Sequence, residues 1–118
     1  MRTVLLFAAL LSTSTAAIAA NGPFAKFDDR PYEGYKSTLF IFDIERCLID
    51  TPGWAPQVYR QPDRPDFVQL LWVSQSDYVG GAKVRVDLEK VDGGTKVKAW
   101  PSSTFLTPSQ LFKCAPKP

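Results

Sequence analysis

Residues 82–100 constrain the fold of this chain more than any other stretch. Ala82, Val84, Val86 and Leu88 alternate with Lys83, Arg85, Asp87 and Glu89. A period of two sends these sets to opposite faces of a strand, one apolar and one charged. Asp92-Gly93 then supplies a hairpin turn, with Gly94 adding latitude, and residues 95–100 return. With Asp92 and Gly93 as the loop, Glu89 faces Lys96 and Asp87 faces Lys98. On the other side Val86 meets Ala99 and Leu88 meets Val97. A slip of one residue would lose both the charge match and the apolar match, so the register is fixed.

A sheet with one apolar face needs a cover, and two segments have the pattern for it. Ile41, Ile44, Cys47 and Leu48 recur at helical spacing, Asp43 and Glu45 sit early in that segment, and Thr51-Pro52-Gly53 stops it. This predicts a helix over residues 41–49, although Leu39 to Phe42 also reads as the end of a strand. Thr107, Pro108 and Gln110 form a T-P-x-Q capping box, with Leu106 placed to staple onto Leu111. The second helix is expected over residues 108–114. Between the two lie a short strand near Val58, Tyr59 and Arg60, a turn over residues 61–65, and a strand over residues 66–74 that is apolar on both parities except at Gln69. The fold class expected is α+β: a helix, a three- to four-stranded antiparallel meander and a short C-terminal helix. Both helices should lie on the face of Val84, Val86, Leu88, Val97 and Ala99.

The N-terminus sets the compartment. Arg2, the apolar run VLLFAALL at residues 4–11 and the small residues Ala17, Ala19 and Ala20 have the layout of a secretory signal peptide. The run falls well short of the ~20 residues that span a bilayer, so no stable membrane span is expected after cleavage. Cleavage fits after Ala19 or Ala20, with Ala20 preferred. The organisation expected is a signal peptide at 1–20, an N-terminal arm at 21–36 and a single domain at 37–118. Gly22-Pro23, Arg30-Pro31 and Glu33-Gly34 break up the arm, while Phe24, Phe27, Tyr32 and Tyr35 suit it to lie against the body.

Two cysteines, Cys47 and Cys114, in an exported chain read as a disulfide. Such a bridge would tie the two helices together and support a domain small enough to bury only roughly two-thirds of its unfolded surface. Cys47 as a nucleophile fits poorly. The chain has no histidine to act as base, and Asp43, Glu45 and Asp50 disfavour a thiolate. Two cysteines without histidine do not make a zinc site either.

The absence of histidine also removes Ser-His-Asp arrangements. No phosphate-binding glycine motif or calcium loop occurs, so neither cofactor nor metal is expected. Gly80-Gly81 and Gly93-Gly94 read as hairpin glycines. The net charge of +2, with acids and bases interspersed, gives no nucleic-acid footprint. Asp28-Asp29 and the Asp43, Glu45, Asp50 set are the only hint of an acid–base pair, and the second set reads better as the solvated side and ends of a helix.

The binding signal is aromatic. Trp72 reads as core, and Trp54 as closing the loop after the first helix. Trp100 falls on the charged face beside Lys98 and opposite Arg85. Arg85, Lys98 and Trp100 are therefore the candidate binding residues. Two readings stand for Trp100: an exposed anchor, or a ring covered by the arm or by Arg85 through cation–π contact, the second being preferred.

Residues 43–50 (DIERCLID), Ser37, Leu88, the Asp92-Gly93-Gly94-Thr95 turn and Cys114 give the chain a resemblance to small exported bacterial proteins, themselves without an assigned activity. Those pair a cysteine-bearing helix with a strand meander and a C-terminal cysteine. Many are lipoproteins, and this chain departs from them in lacking a lipid-attachment cysteine. The resemblance spans residues 36–114 and implies an α+β fold but no activity. The functional expectation is an exported, non-enzymatic binding protein, periplasmic or secreted, whose partner is another extracytoplasmic protein or an envelope component. The alternatives are a small carboxylate-dependent hydrolase and a proteinaceous inhibitor of an extracytoplasmic enzyme.

Overall fold

The computed structural model describes residues 24–53, 55–74, 81–102 and 104–118. The signal peptide, the first three residues of the arm, Trp54 and Gly80 lie outside the described residues. The fold is α+β, built on a five-stranded antiparallel sheet in the order β1-β5-β4-β3-β2. The strands are β1 (Glu33–Ser37), β2 (Gln57–Gln61), β3 (Arg64–Val73), β4 (Ala82–Val91) and β5 (Gly94–Trp100). Helix α1 (Ile41–Asp50) joins β1 to β2, α2 (Pro108–Cys114) closes the chain, and a 3-10 turn (Ala25–Phe27) precedes the sheet.

The sheet has one strand more than the three or four expected, because part of the arm joins it. Glu33–Ser37 pairs antiparallel with β5, with Tyr35 opposite Val97 and Lys36 opposite Lys96. Pro31 stands before the strand, and the edge position tolerates Gly34. The β4–β5 register is the expected one: Asp87 faces Lys98, Glu89 faces Lys96, Leu88 faces Val97 and Val86 faces Ala99.

Two glycines shape this end of the sheet. Gly93 holds φ at 81° in the turn. Gly94 does more than add latitude: a Cβ there would come within 2.0 Å of the Ser37 carbonyl oxygen. Its missing side chain is what lets the β1–α1 link pass so close to the turn. Thr95 Oγ1 secures the same link by donating to the Leu39 carbonyl at 2.9 Å.

β1 and β2 occupy opposite edges, so α1 must cross the sheet. Ten residues of helix reach about 15 Å, against roughly 19 Å between the outer strands of a five-stranded sheet, and short links make up the difference. The helix begins at Ile41, with extended Phe40 as an N-cap that has no side-chain hydrogen bond. α2 spans the expected residues, and both bonds of its capping box are present.

Both helices pack on one face. Ile41, Ile44 and Leu48 of α1 and Leu111 and Cys114 of α2 bury against Val68, Leu70, Trp72, Val84, Val86, Leu88, Val97 and Ala99, with Leu106 at 0% exposure among them. The Cys47–Cys114 disulfide joins the helices, with Cα atoms 5.4 Å apart. The Tyr35 hydroxyl adds a second tie by donating to the Ala115 carbonyl at 2.6 Å. Burial, and secondarily the Glu33 carboxylate, push its pKa up to about 12.

A second, smaller core lies on the opposite face, where Phe27 of the arm buries with Leu71, Ala82 and Trp100. Among the described residues no helix is long and apolar enough to cross a membrane.

Candidate functional site

The open face of the sheet, away from the helices, carries the three residues singled out by the sequence. Arg85 and Trp100 are cross-strand neighbours and Lys98 is two residues from Trp100 on the same face, so the fold does bring them together. It does not leave Trp100 free. The ring is 5% exposed, and its Nε1 donates to the Arg30 carbonyl at 3.2 Å. The arm covers it, and Arg85 stacks on it at 4.7 Å. Both parts of the covered reading hold, and Trp100 as an exposed anchor is set aside. The physical reason is that a tryptophan on a sheet face, with the arm's aromatics Phe27 and Tyr32 folded back onto it, gains by burial against them.

Across this face runs an alternating stack of rings and cations. Tyr59 of β2 meets Phe24 edge to face at 5.1 Å. Arg85 sits over Phe24 at 5.3 Å and over Trp100 at 4.7 Å. Lys98 sits over Trp100 at 5.2 Å and over Tyr32 at 4.4 Å. Arg85 is clamped further. It forms a bidentate pair with Asp87 at 2.9 and 2.7 Å and donates to the Phe24 carbonyl at 3.0 Å. Arg85 is thus a structural rivet under the arm, its side chain only 12% exposed.

That clamp changes the electrostatics beside it. The register puts Asp87 opposite Lys98, but the carboxylate is already held by Arg85 through both oxygens. Lys98 turns to the rings instead. Lys36 and Lys96 face one another directly across β1 and β5, an arrangement that like charges disfavour. Among the described residues, Lys36, Lys96 and Lys98 have no carboxylate within ion-pair distance. These three ammonium groups border a shallow depression of about 760 Å³ that Tyr32, Gly34 and Val91 also line. Gly34 keeps its floor low, since a Cβ there would press on the Tyr32 ring at 3.0 Å. Tyr32 itself is 54% exposed.

Sequence reasoning reached Lys98 but missed Lys36 and Tyr32, because both were assigned to an arm without a strand. The signal was present in the alternation of Tyr35 and Ser37 with Lys36, which matches an edge strand with one wet face.

The carboxylates are dispersed. Asp43 and Asp50 are exposed on α1, and Asp28 reaches Arg85 at 3.6 Å. Glu45 is not on the solvated side of the helix as expected. It is buried at 9% exposure and paired with Arg60. The crossing of α1 to β2 places that guanidinium against it, and the ion pair permits the burial. One Glu45 oxygen, Oε1, has no hydrogen-bond partner. Among the described residues no three metal-ligating side chains gather.

Comparison with protein families, with curated proteins and with solved structures finds no match to this chain.

Proposed function

We propose that this chain is exported, loses residues 1–20, and acts outside the cytoplasm as a non-enzymatic binding protein. Its binding surface is the uncovered part of the open face: Lys36, Lys96 and Lys98 around the depression beside Tyr32. The ligand carries carboxylate or phosphate groups, as the envelope components expected of its compartment do. The observation that carries this reading is that three ammonium groups share one sheet face and, among the described residues, none has a carboxylate within ion-pair distance, although Glu89 stands across from Lys96. Directly opposed lysines cost stability, and a bound anion would offset that cost. The shallow, open shape suits an extended polymer better than a small molecule, which would call for a deeper cleft. The disulfide fits an oxidising compartment.

Two measurements test the reading. The intact mass of protein recovered from outside the host cytoplasm should match a chain that begins at Asn21 and is lighter by two hydrogens; a full-length mass with free thiols rejects export. Amide-shift titration with polygalacturonate and with inorganic polyphosphate should move residues of β1 and β5, and the shifts should weaken as salt shortens the screening length to about 10 Å at 0.1 M and below. The Lys36→Ser/Lys96→Ser variant should lose binding at least tenfold. Equal binding by that variant, or no shift with either polymer, rejects this surface.

A further inference from the structure

The sheet has two edges, and β2 is the one left ready to pair. All five of its residues are exposed, Val58 at 37% and Tyr59 at 38%. Proteins usually blunt such an edge with lysines, prolines, bulges or cover. β2 has a bulge only at its end, between Arg60 and Gln61. Its single charge, Arg60, is drawn back onto α1 by Glu45.

The surface above this edge carries exposed apolar side chains beside the charged Arg46 and Asp50. Phe42, Glu45 and Ile49 follow one another at i, i+3 and i+7, so they form one stripe of α1. The Glu45–Arg60 pair places that stripe over β2. Phe42 is 54% exposed and Ile49 37%. An open strand edge therefore lies beneath a ledge that exposes Phe42 and Ile49.

The occupant that fits is a second copy of this chain, because the strand QVYRQ is complementary to itself. Antiparallel pairing about a two-fold axis at Tyr59 sets Gln57 opposite Gln61 of the second copy and Val58 opposite Arg60. The two Tyr59 rings meet on the open face. No like charges stand opposite one another. On the helix face the second copy's Arg60 arrives beside Val58, about 5 Å away, which brings a further guanidinium to the side of Glu45. That carboxylate has one oxygen buried without a donor, and such a group gains from a second charged partner.

We propose that β2 is a self-association edge: two copies pair their β2 strands antiparallel about Tyr59 and join their sheets into one of ten strands. The interface is isologous, so it closes at two copies. The lysine depression lies at the other edge, and the dimer presents two of them.

Sedimentation velocity across a dilution series, together with amide hydrogen exchange at the two extreme concentrations, tests this on the oxidised mature chain. The wild type should move from monomer to twice the chain mass as concentration rises, and β2 amides should exchange at least tenfold more slowly in the dimer. Val58→Lys should stay monomeric and unfold at the midpoint of the dilute, monomeric wild type, because the residue is exposed; Lys36→Glu, at the far edge, should dimerise like the wild type. A monomer at every concentration overturns the proposal. So does a dimer that Val58→Lys retains, or one whose β2 amides stay unprotected.

Discussion

Removing the Cys47–Cys114 bridge tests how this small domain is held together. The cysteines are 67 positions apart. The chain-entropy relation then gives a loss of unfolded-state entropy of about 15 cal/mol/K, which is about 4.4 kcal/mol at 25 °C. A domain of this size has only about 5–15 kcal/mol in total, so the bridge is a large share of it. The folded state should survive its loss. Leu106, Leu111 and Ala115 are fully buried, and Tyr35 still bonds the Ala115 carbonyl. The perturbation is Cys47→Ala with Cys114→Ala, which avoids burying hydroxyls at a site where Cys114 is 3% exposed. The assay is urea unfolding followed by tryptophan fluorescence and by far-ultraviolet dichroism. The double variant should lose about 3–4.5 kcal/mol, and its m-value should rise, since the unlinked chain exposes more surface on unfolding. A loss below about 1 kcal/mol with an unchanged m-value would refute the reasoning. The unfolded chain would then already be compact without the bridge, and packing alone would hold α2.

Three further perturbations probe other parts of the fold. Phe27→Ala removes a ring that is 1% exposed and packed 5.8 Å from Trp100; it should cost about 3–5 kcal/mol, and iodide quenching of tryptophan fluorescence should rise as the arm lifts. Tyr35 has its pKa raised from 10.0 to about 12, so the folded state favours the protonated phenol; the stability this gives is fully present below pH 10 and is lost as pH rises towards 12. The urea midpoint of the wild type should therefore fall more steeply than that of Tyr35→Phe over that window, and parallel curves would contradict the assignment. Gly94→Ala places a methyl group 2.0 Å from the Ser37 carbonyl oxygen at a φ of 156°; β1 must move away, which should appear as faster hydrogen exchange in β1 and β5 with β3 unchanged.

What could be read from the sequence was whatever local chemistry determines. The β4–β5 register followed from a turn and two complementary strands, and α2 followed from a capping box, so both came out residue by residue. The start of α1 was ambiguous for a matching reason: Phe40 caps it without a side-chain hydrogen bond, so no polar residue marks the boundary. The misses all depend on contacts between distant segments. β1 looked like a broken arm because Gly34 and Pro31 are read locally, whereas the edge strand beside β5 accommodates Gly34 and begins only after Pro31. Glu45 looked solvated because its partner Arg60 lies on a strand reached only after α1 has crossed the sheet. Among candidate binding residues, Lys98 was legible from parity alone, while its neighbour Lys36 needed the β1–β5 pairing.

The charge ladder between β4 and β5 shows why register alone does not give a binding surface. Asp87 and Lys98 are opposite one another, and in isolation such a pair would neutralise itself. Arg85, two residues along the same strand, reaches Asp87 first with a planar two-pronged group that a lysine cannot match. It is held there by the Phe24 carbonyl and the Trp100 ring. The arm therefore has two effects. It buries Trp100, and by fixing Arg85 on Asp87 it leaves Lys98, like Lys96 on β5 and Lys36 on β1, without an ion pair among the described residues. An arm whose Phe24 lifted off Arg85 would loosen that guanidinium, return Asp87 to Lys98 and weaken the positive surface. The anion binding proposed above would then be linked to arm docking, each favouring the other.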